Sequence, residues 1–387
     1  MKISHFIKFL FIALIFLWFL DYNKPKEIIF SGNKIKIGII APLGNSNNTT
    51  ENSGLHGIKI AQQLMPLLNN GDGIEWVTID DRNTPAESIN AAKLLSETHN
   101  IAAIIMLSDS DSALALAKVA DQYKTPILTL FASHPDVTLA TNFINQFNFD
   151  DSFQANVAAA YARDELLADR VAILQEANNT HFQYLADEFT KQFKVTGGVI
   201  SNQIILNSNS SNYLQVLQKI KEDEPELLYL PVSMEILFKI KNTLQQLNWA
   251  PKIIISDGIF SKIKNQNTFP LDTLEDIITI DAFSENTAFT SLGKQLLSKM
   301  STENFTLKDI DSNTVLGMEG YLFLKHILNQ CIKNKEKRNC INSKIRSTSK
   351  FEGIKGYISF NASGKVNRSL TINKIHNGST KLIVQVY

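Results

Sequence analysis

The stretch Ile104-Ile-Met-Leu-Ser-Asp-Ser-Asp-Ser112 decides how the chain folds. Four apolar residues stop at a run of five small hydroxyl and carboxylate residues, and Leu116, Val119, Ala120 and Tyr123 follow at one-face helical spacing. The pattern predicts a buried strand, a sharp turn and a helix whose first turn begins near Ser110 to Ser112. First-turn amides have no acceptor within their own helix, so together with nearby hydroxyls they favour an anionic group of a ligand. Serines in this position also act as plain helix caps, and both readings stay open here.

Working outward, the same alternation continues on both sides. Lys34-Ile-Lys-Ile-Gly-Ile-Ile-Ala-Pro42 reads as a strand running into a polar loop, Leu43 to Gly54. A helix with Ile58, Ala61, Met65 and Leu68 on one face follows, and then a second strand, Ile74 to Asp80. Thr84-Pro85-Ala86-Glu87 reads as a capping box with proline at the first helical position, opening a helix that ends near His99. Pro126 to Phe131 is a fourth strand. After Phe147 the pattern restarts with a helix carrying Phe153, Val157, Ala160 and Tyr161, then strands at 171–174, 199–205, 227–230 and 253–256 with helices between them. Strands separated by helices of this length imply parallel sheets covered on both faces. The fold class is therefore α/β, as two doubly wound parallel-sheet lobes.

The last hundred residues do not form a third lobe. They carry one strand, Asp276 to Ile280, helices near 286–300 and 313–334, and short strands and turns from Gly353 onward. Two long helices complete a sheet begun elsewhere and a terminal meander rims the other, so the chain crosses between lobes more than once. The expected boundaries are 34–148 with 280–352 for the first lobe and 149–279 with 353–387 for the second.

Composition narrows the function classes. Of 387 residues, 44% are hydrophobic and 20% charged, which fits an ordinary globular protein. Lysine and arginine (38) equal aspartate and glutamate (38), so no net field draws nucleic acid. Lys2 and Lys8 precede an apolar run from Phe9 to Leu20, the layout of a secretory signal, too short for an ordinary membrane span. No small-x-small cleavage site is evident. Residues 1–30 are thus a signal peptide or a retained anchor plus linker, and the protein is expected outside the cytoplasm, free or tethered by residues 6–20. In an exported chain the two cysteines, Cys331 and Cys340, read naturally as a disulfide, with two unrelated thiols as the alternative.

Enzyme readings find little support. The chain has no Gly-x-Ser-x-Gly elbow, no His-Glu-x-x-His and no Cys-His pair, and its seven histidines are scattered without ligand spacing. A hydrolase could be drawn from Ser110, His134 and Asp257, but nothing in the spacing demands it. Neither Gly71-Asp-Gly73 nor Gly197-Gly198 makes a phosphate loop. No metal and no cofactor are expected.

At this point the chain resembles the periplasmic solute-binding proteins of the leucine/isoleucine/valine-binding type, over nearly everything after residue 34. The resemblance rests on Asp80-Asp81 followed by Pro85, on Pro126 through Ala132-Ser133-His134-Pro135, on Ser256-Asp257-Gly258, and on Phe351 to Phe360 with Gly364. It implies two α/β lobes joined by three crossovers that close on a small ligand. Position by position, it implies that Ser110, with Ser112 in the same turn, holds an amino-acid carboxylate, that Ser133 adds a hydroxyl, and that Asp257 receives the ammonium. Phe131 stands where the family usually has a small residue, His181 near a position often held by tyrosine, and Ser233 where an aromatic usually covers the ligand. The implied function is capture of an amino acid or related compound by a monomer and its delivery to an ABC permease in the membrane. A sensing module of the same fold, reporting to a membrane partner without transport, is the competing reading.

Overall fold

The structure is a computed structural model, which describes residues 32–44, 53–207, 209, 212–266, 269–284, 286–302 and 310–387. The expected signal or anchor and most of the first polar loop lie outside the described residues.

Five strands form the first sheet: β1 (Lys34–Ala41), β2 (Gly73–Asp80), β3 (Ile104–Met106), β4 (Ile127–Thr129) and β5 (Ile144–Gln146). All pairings are parallel, in the order β2-β1-β3-β4-β5. The opening stretch supplies the central strand. Ile105 packs into one hydrophobic cluster while Ile104 and Met106 pack into another, so successive side chains face opposite covered surfaces. That is why the strand reads as an unbroken apolar run.

The second sheet repeats the plan. Its parallel part comprises β6 (Arg170–Glu176), β7 (Val199–Leu206), β8 (Leu227–Leu230), β9 (Lys252–Ile255) and β10 (Ile278–Asp281), in the order β7-β6-β8-β9-β10. Both sheets thus reverse direction of growth beside their first strand, and in such sheets ligands lie beyond the carboxyl ends near that switch point. The C-terminal strands β14 (Leu370–His376) and β15 (Ser379–Val386) extend this sheet in antiparallel fashion.

The chain crosses between lobes near Phe147–Asp150, again between β10 and the helix Ser291–Thr302, and a third time just before β14. After the second crossing it returns to the first lobe with the helices Ser312–Cys331 and Lys337–Arg346. The first of these lies across the helix Ser53–Leu64 at a glycine-lined contact. A Cβ on Gly57 would stand 2.0 Å from the Thr314 carbonyl oxygen, and one on Gly317 2.0 Å from that of Gly54. Only hydrogen at both positions permits this approach. Tyr321 Oη donates to Met65 O at 2.8 Å and Lys325 Nζ to the same oxygen at 2.9 Å, fixing the register of the pair. Cys331 and Cys340 form a disulfide joining the two returning helices.

Three local expectations need adjustment. Thr84 is the N-cap of the helix Pro85–Glu97 but makes no capping bond; its hydroxyl donates instead to Asp81 O at 3.3 Å. Asp81 organises this turn, accepting from the Asn83 amide at 3.0 Å and from the hydroxyls of Ser88 and Ser108. The expected helix 313–334 breaks after Cys331, with a second one starting at Lys337. The short strands β11 (Phe351–Glu352), β12 (Tyr357–Phe360) and β13 (Val366–Asn367) make a small sheet of their own. It touches the first lobe: Lys365 bridges to Gln146, and Phe360 packs on Phe147 and Phe323. Only the residues from Leu370 onward pair into the second sheet.

Arg368, at the third crossing, is buried and pairs with buried Glu319 at 2.7 Å. It also donates to Phe147 O at 3.3 Å, while Glu319 accepts from the Ile354 amide at 2.6 Å. One buried ion pair therefore ties the first and third crossings to the Ser312–Cys331 helix.

Candidate functional site

A cleft of about 440 Å³ opens between the carboxyl ends of the two sheets. Of the expected residues, Ser110, Phe131, Ser133, His181 and Asp257 line it; Ser112 and Ser233 do not. Ser112 sits two residues further into the helix Ser110–Ala117, where its side chain turns into the protein and its Oγ is buried without a partner. Ser233 precedes the helix Met234–Gln246 with its amide bonded to Glu176 at 2.6 Å, which anchors the loop away from the opening.

The first lobe contributes the turn after β3. Asp109 caps the helix Ser110–Ala117, accepting from the Ser112 amide at 3.0 Å and, with its other oxygen, from Asn83 Nδ2 at 2.6 Å. Ser110 Oγ accepts from the amides of Ser133 and His134 at 3.2 and 3.3 Å. With both lone pairs engaged, the hydroxyl proton remains to be donated. The helix cap is therefore Asp109 and not a serine, and Ser110 stands beside it at the cleft. The drawn hydrolase has no support: Ser110 meets the backbone of His134, whose Nδ1 accepts from the Asp136 amide at 3.2 Å.

The second lobe contributes His181, in the first turn of the helix Thr180–Val195, and Asp257, in the turn after β9. Gly258 makes that turn possible with φ +70°, and its amide donates to Asp281 at 3.2 Å. His181 bridges two carboxylates, with Nδ1 2.9 Å from Asp151 and Nε2 3.6 Å from Asp257. Asp151 is wholly buried at the start of the helix Asp151–Asp164, and Ser133 Oγ lies 3.3 Å from the same His181 nitrogen. Burial by itself would lower the imidazolium pKa, but the charge and hydrogen bond of Asp151, with Asp257 behind them, push it up to about 9. His181 therefore carries a positive charge at neutral pH.

Asp257 is correspondingly well served. Asn148 Nδ2 donates to its Oδ2 at 3.3 Å. The Gln154 amide, with its nitrogen turned toward Asp257, donates to Oδ1 at 2.9 Å and accepts from the Asp257 amide at 3.0 Å. Burial raises the Asp257 pKa, and His181, Asn148 and Lys262 pull it back only in part. Contacts also run between the lobes: Thr180 donates to Asp111, and the His134 and Tyr184 rings meet edge-on at 4.8 Å.

Asn148, Asp151, Gln154, Lys262 and Asn313 were not singled out from sequence. Asn148 and Asp151 flank the first crossing, beside Asp150, which caps the Phe153 amide at 3.0 Å. The Asp150-Asp151 doublet was a visible signal, since one carboxylate suffices for a cap. Among the described residues, no group of three or more His, Cys, Asp or Glu side chains is placed to hold a metal ion, and no helix is long and apolar enough to cross a membrane.

Comparison with known proteins gives a consistent result. A family model described as periplasmic binding protein matches residues 34–380. A leucine-binding protein from Thermotoga maritima superposes with a TM-score of 0.80 at 23% identity, covering 91% of this chain and 98% of its own. A branched-chain amino acid transporter substrate-binding protein from Streptococcus pneumoniae, solved with isoleucine, gives 0.77 at 18% identity over 91% and 99% of the two chains. A solute-binding protein of an ABC transporter from R. palustris, solved with 4-hydroxybenzoate, gives 0.76 at 16% identity over 92% and 97%. A sequence comparison with curated proteins finds no match. The two-lobed architecture, its order of strands and the match along almost the whole described length agree: this chain belongs to the periplasmic binding protein family and has the type 1 fold of its leucine-binding members.

Proposed function

We propose that this protein captures a small carboxylate-bearing solute outside the cytoplasm, an amino acid or a related compound, and delivers it to an ABC importer. The observation that carries this reading is the pairing of donors across the cleft. Ser110 offers a hydroxyl proton and the start of its helix offers amides, while the other lobe faces them with protonated His181 and with Lys262. A carboxylate placed there gains charge-assisted hydrogen bonds from both sides, which are about twice as strong as neutral ones. The related proteins solved with isoleucine, with leucine and with benzoates all hold ligands that bear a carboxylate. Ser110, Ser133, Phe131, His181 and Asp257 are the proposed ligand contacts. Residues 6–20 are proposed to direct export or to tether the protein.

Melting of the full-length chain followed by tryptophan fluorescence, against a panel of amino acids and other small carboxylic acids, tests the reading. A ligand at about a hundred times its dissociation constant stabilises by about 2.7 kcal/mol. A panel in which no carboxylate raises the midpoint, while an uncharged or cationic solute does, would reject it. Uptake of the identified solute by cells lacking this protein, compared with wild type, tests delivery: unchanged uptake would leave capture intact and remove transport.

A further inference from the structure

The reading of the cleft as a carboxylate site leaves open what else the solute carries, and the charges of the second lobe bear on that. Three carboxylates line the cleft, and each already holds donors from the protein. Asp109 accepts from the Ser112 amide and from Asn83, and Asp111 from Thr180. Asp257 accepts from Asn148 and Gln154 and lies 3.6 Å from His181 Nε2. His181 is fixed in this place. Its other nitrogen is held at 2.9 Å by Asp151, which is wholly buried and, among the described residues, pairs with no second cation.

A ligand ammonium arriving at Asp257 would therefore come to rest beside a cation that the protein itself supplies. Like charges brought together in a water-poor cleft are disfavoured, and Asp257, already shared by His181, Asn148 and Gln154, has less to offer an ammonium in return. What the cleft has left over is donor capacity: the Ser110 hydroxyl, the amides at the start of its helix, the Lys262 ammonium and the side-chain amide of Asn313.

We propose that His181 is the built-in counter-ion of Asp257 and so sets specificity, making the preferred solute a small carboxylate that carries no ammonium group. This inference rests on the carboxylate reading above and narrows it. His181 is thereby the residue that separates this cleft from one built for amino-acid zwitterions.

The test uses matched probes differing only in charge: leucine, 4-methylpentanoate and 3-methylbutylamine, and likewise phenylalanine, 3-phenylpropanoate and 2-phenylethylamine. Calorimetry at pH 7 on the full-length chain should find each acid bound tighter than its amino acid by at least about tenfold, with the amines bound most weakly. His181→Gln, which removes the positive charge and frees Asp257, should narrow or invert the preference. Asp257→Asn should widen it by strengthening the acids several-fold, because a negative charge leaves the anion's surroundings. Should His181→Gln fail to fold, Asp257→Asn decides alone, since a zwitterion site would lose leucine or phenylalanine there and gain nothing for the acids. Amino acids bound as tightly as the acids by the wild type would overturn the inference and leave the carboxylate reading standing. Amines bound tightest, or no probe bound at millimolar concentration, would overturn both.

Discussion

At the scale of single residues, Ser110 does structural work before any ligand arrives. Its oxygen accepts two buried amides from the next loop, so Ser110→Ala leaves both unpaired. A buried donor without a partner costs about 1–3 kcal/mol, so the ligand-free variant should lose at least that much by urea denaturation, in addition to any loss of affinity. His181 gives a second prediction. Its folded pKa of about 9 stands above the ordinary 6.5, so the folded state holds the proton more tightly than the unfolded chain. The resulting stabilisation, about 3 kcal/mol, is complete below about pH 6.5 and is lost as pH rises through about 9. Asp281, which burial holds up to about 7, loses its own proton-linked contribution below that window. Denaturation at about pH 7.5 and about pH 9.5 should thus show a drop in wild type that His181→Gln lacks; equal drops in both would assign it elsewhere. Five of the seven residues expected at the site line the cleft, and what made them legible was their place just beyond apolar strand patterns. The His181 charge pair was not legible, because Asp151 lies 30 positions earlier in the chain and only the folded first crossing brings it in.

Among elements, strands and helices followed from periodicity because both sheets are covered on two faces and each helix keeps one apolar stripe. Caps were less legible: Thr84 and Glu87 have the right spacing, but Asp81 draws the Thr84 and Ser88 hydroxyls toward the preceding turn. The crossing of helices Ser53–Leu64 and Ser312–Cys331 carries a sharper expectation. Mid-helix alanine normally stabilises over glycine by about 1 kcal/mol. At Gly317 the added methyl would enter the Gly54 carbonyl at 2.0 Å, forcing the helices apart. Gly317→Ala should therefore destabilise by about 1–3 kcal/mol in chemical denaturation, against its helix propensity. A neutral or stabilised variant would mean that the crossing is looser than its geometry.

For the whole molecule, two lobes and repeated crossing could be read from the alternation of strands and helices, whereas the seat of the short meander could not. Nothing local in Tyr357–Phe360 tells which lobe it leans on; the Phe147 and Phe323 rings decide that across the sequence. The crossings are tied by the buried Arg368–Glu319 pair. Arg368→Met alone leaves a buried carboxylate unpaired and should cost about 3–5 kcal/mol, whereas adding Glu319→Met should recover most of the loss. Additive losses in the double variant would show that the pair is not coupled.

The Ser312–Cys331 helix also sets a timetable. It is the partner that covers the Ser53–Leu64 helix, reaching it through Tyr321, Lys325 and the glycine contact, yet it is encoded after the entire parallel part of the second sheet. A nascent chain emerging in order can therefore assemble the second lobe's parallel core while the first still shows an uncovered apolar face. Synthesis and folding cannot proceed lobe by lobe. The first lobe waits for this late segment, and the second sheet waits later still for β14 and β15, so neither lobe is complete until residues encoded beyond the other have been made.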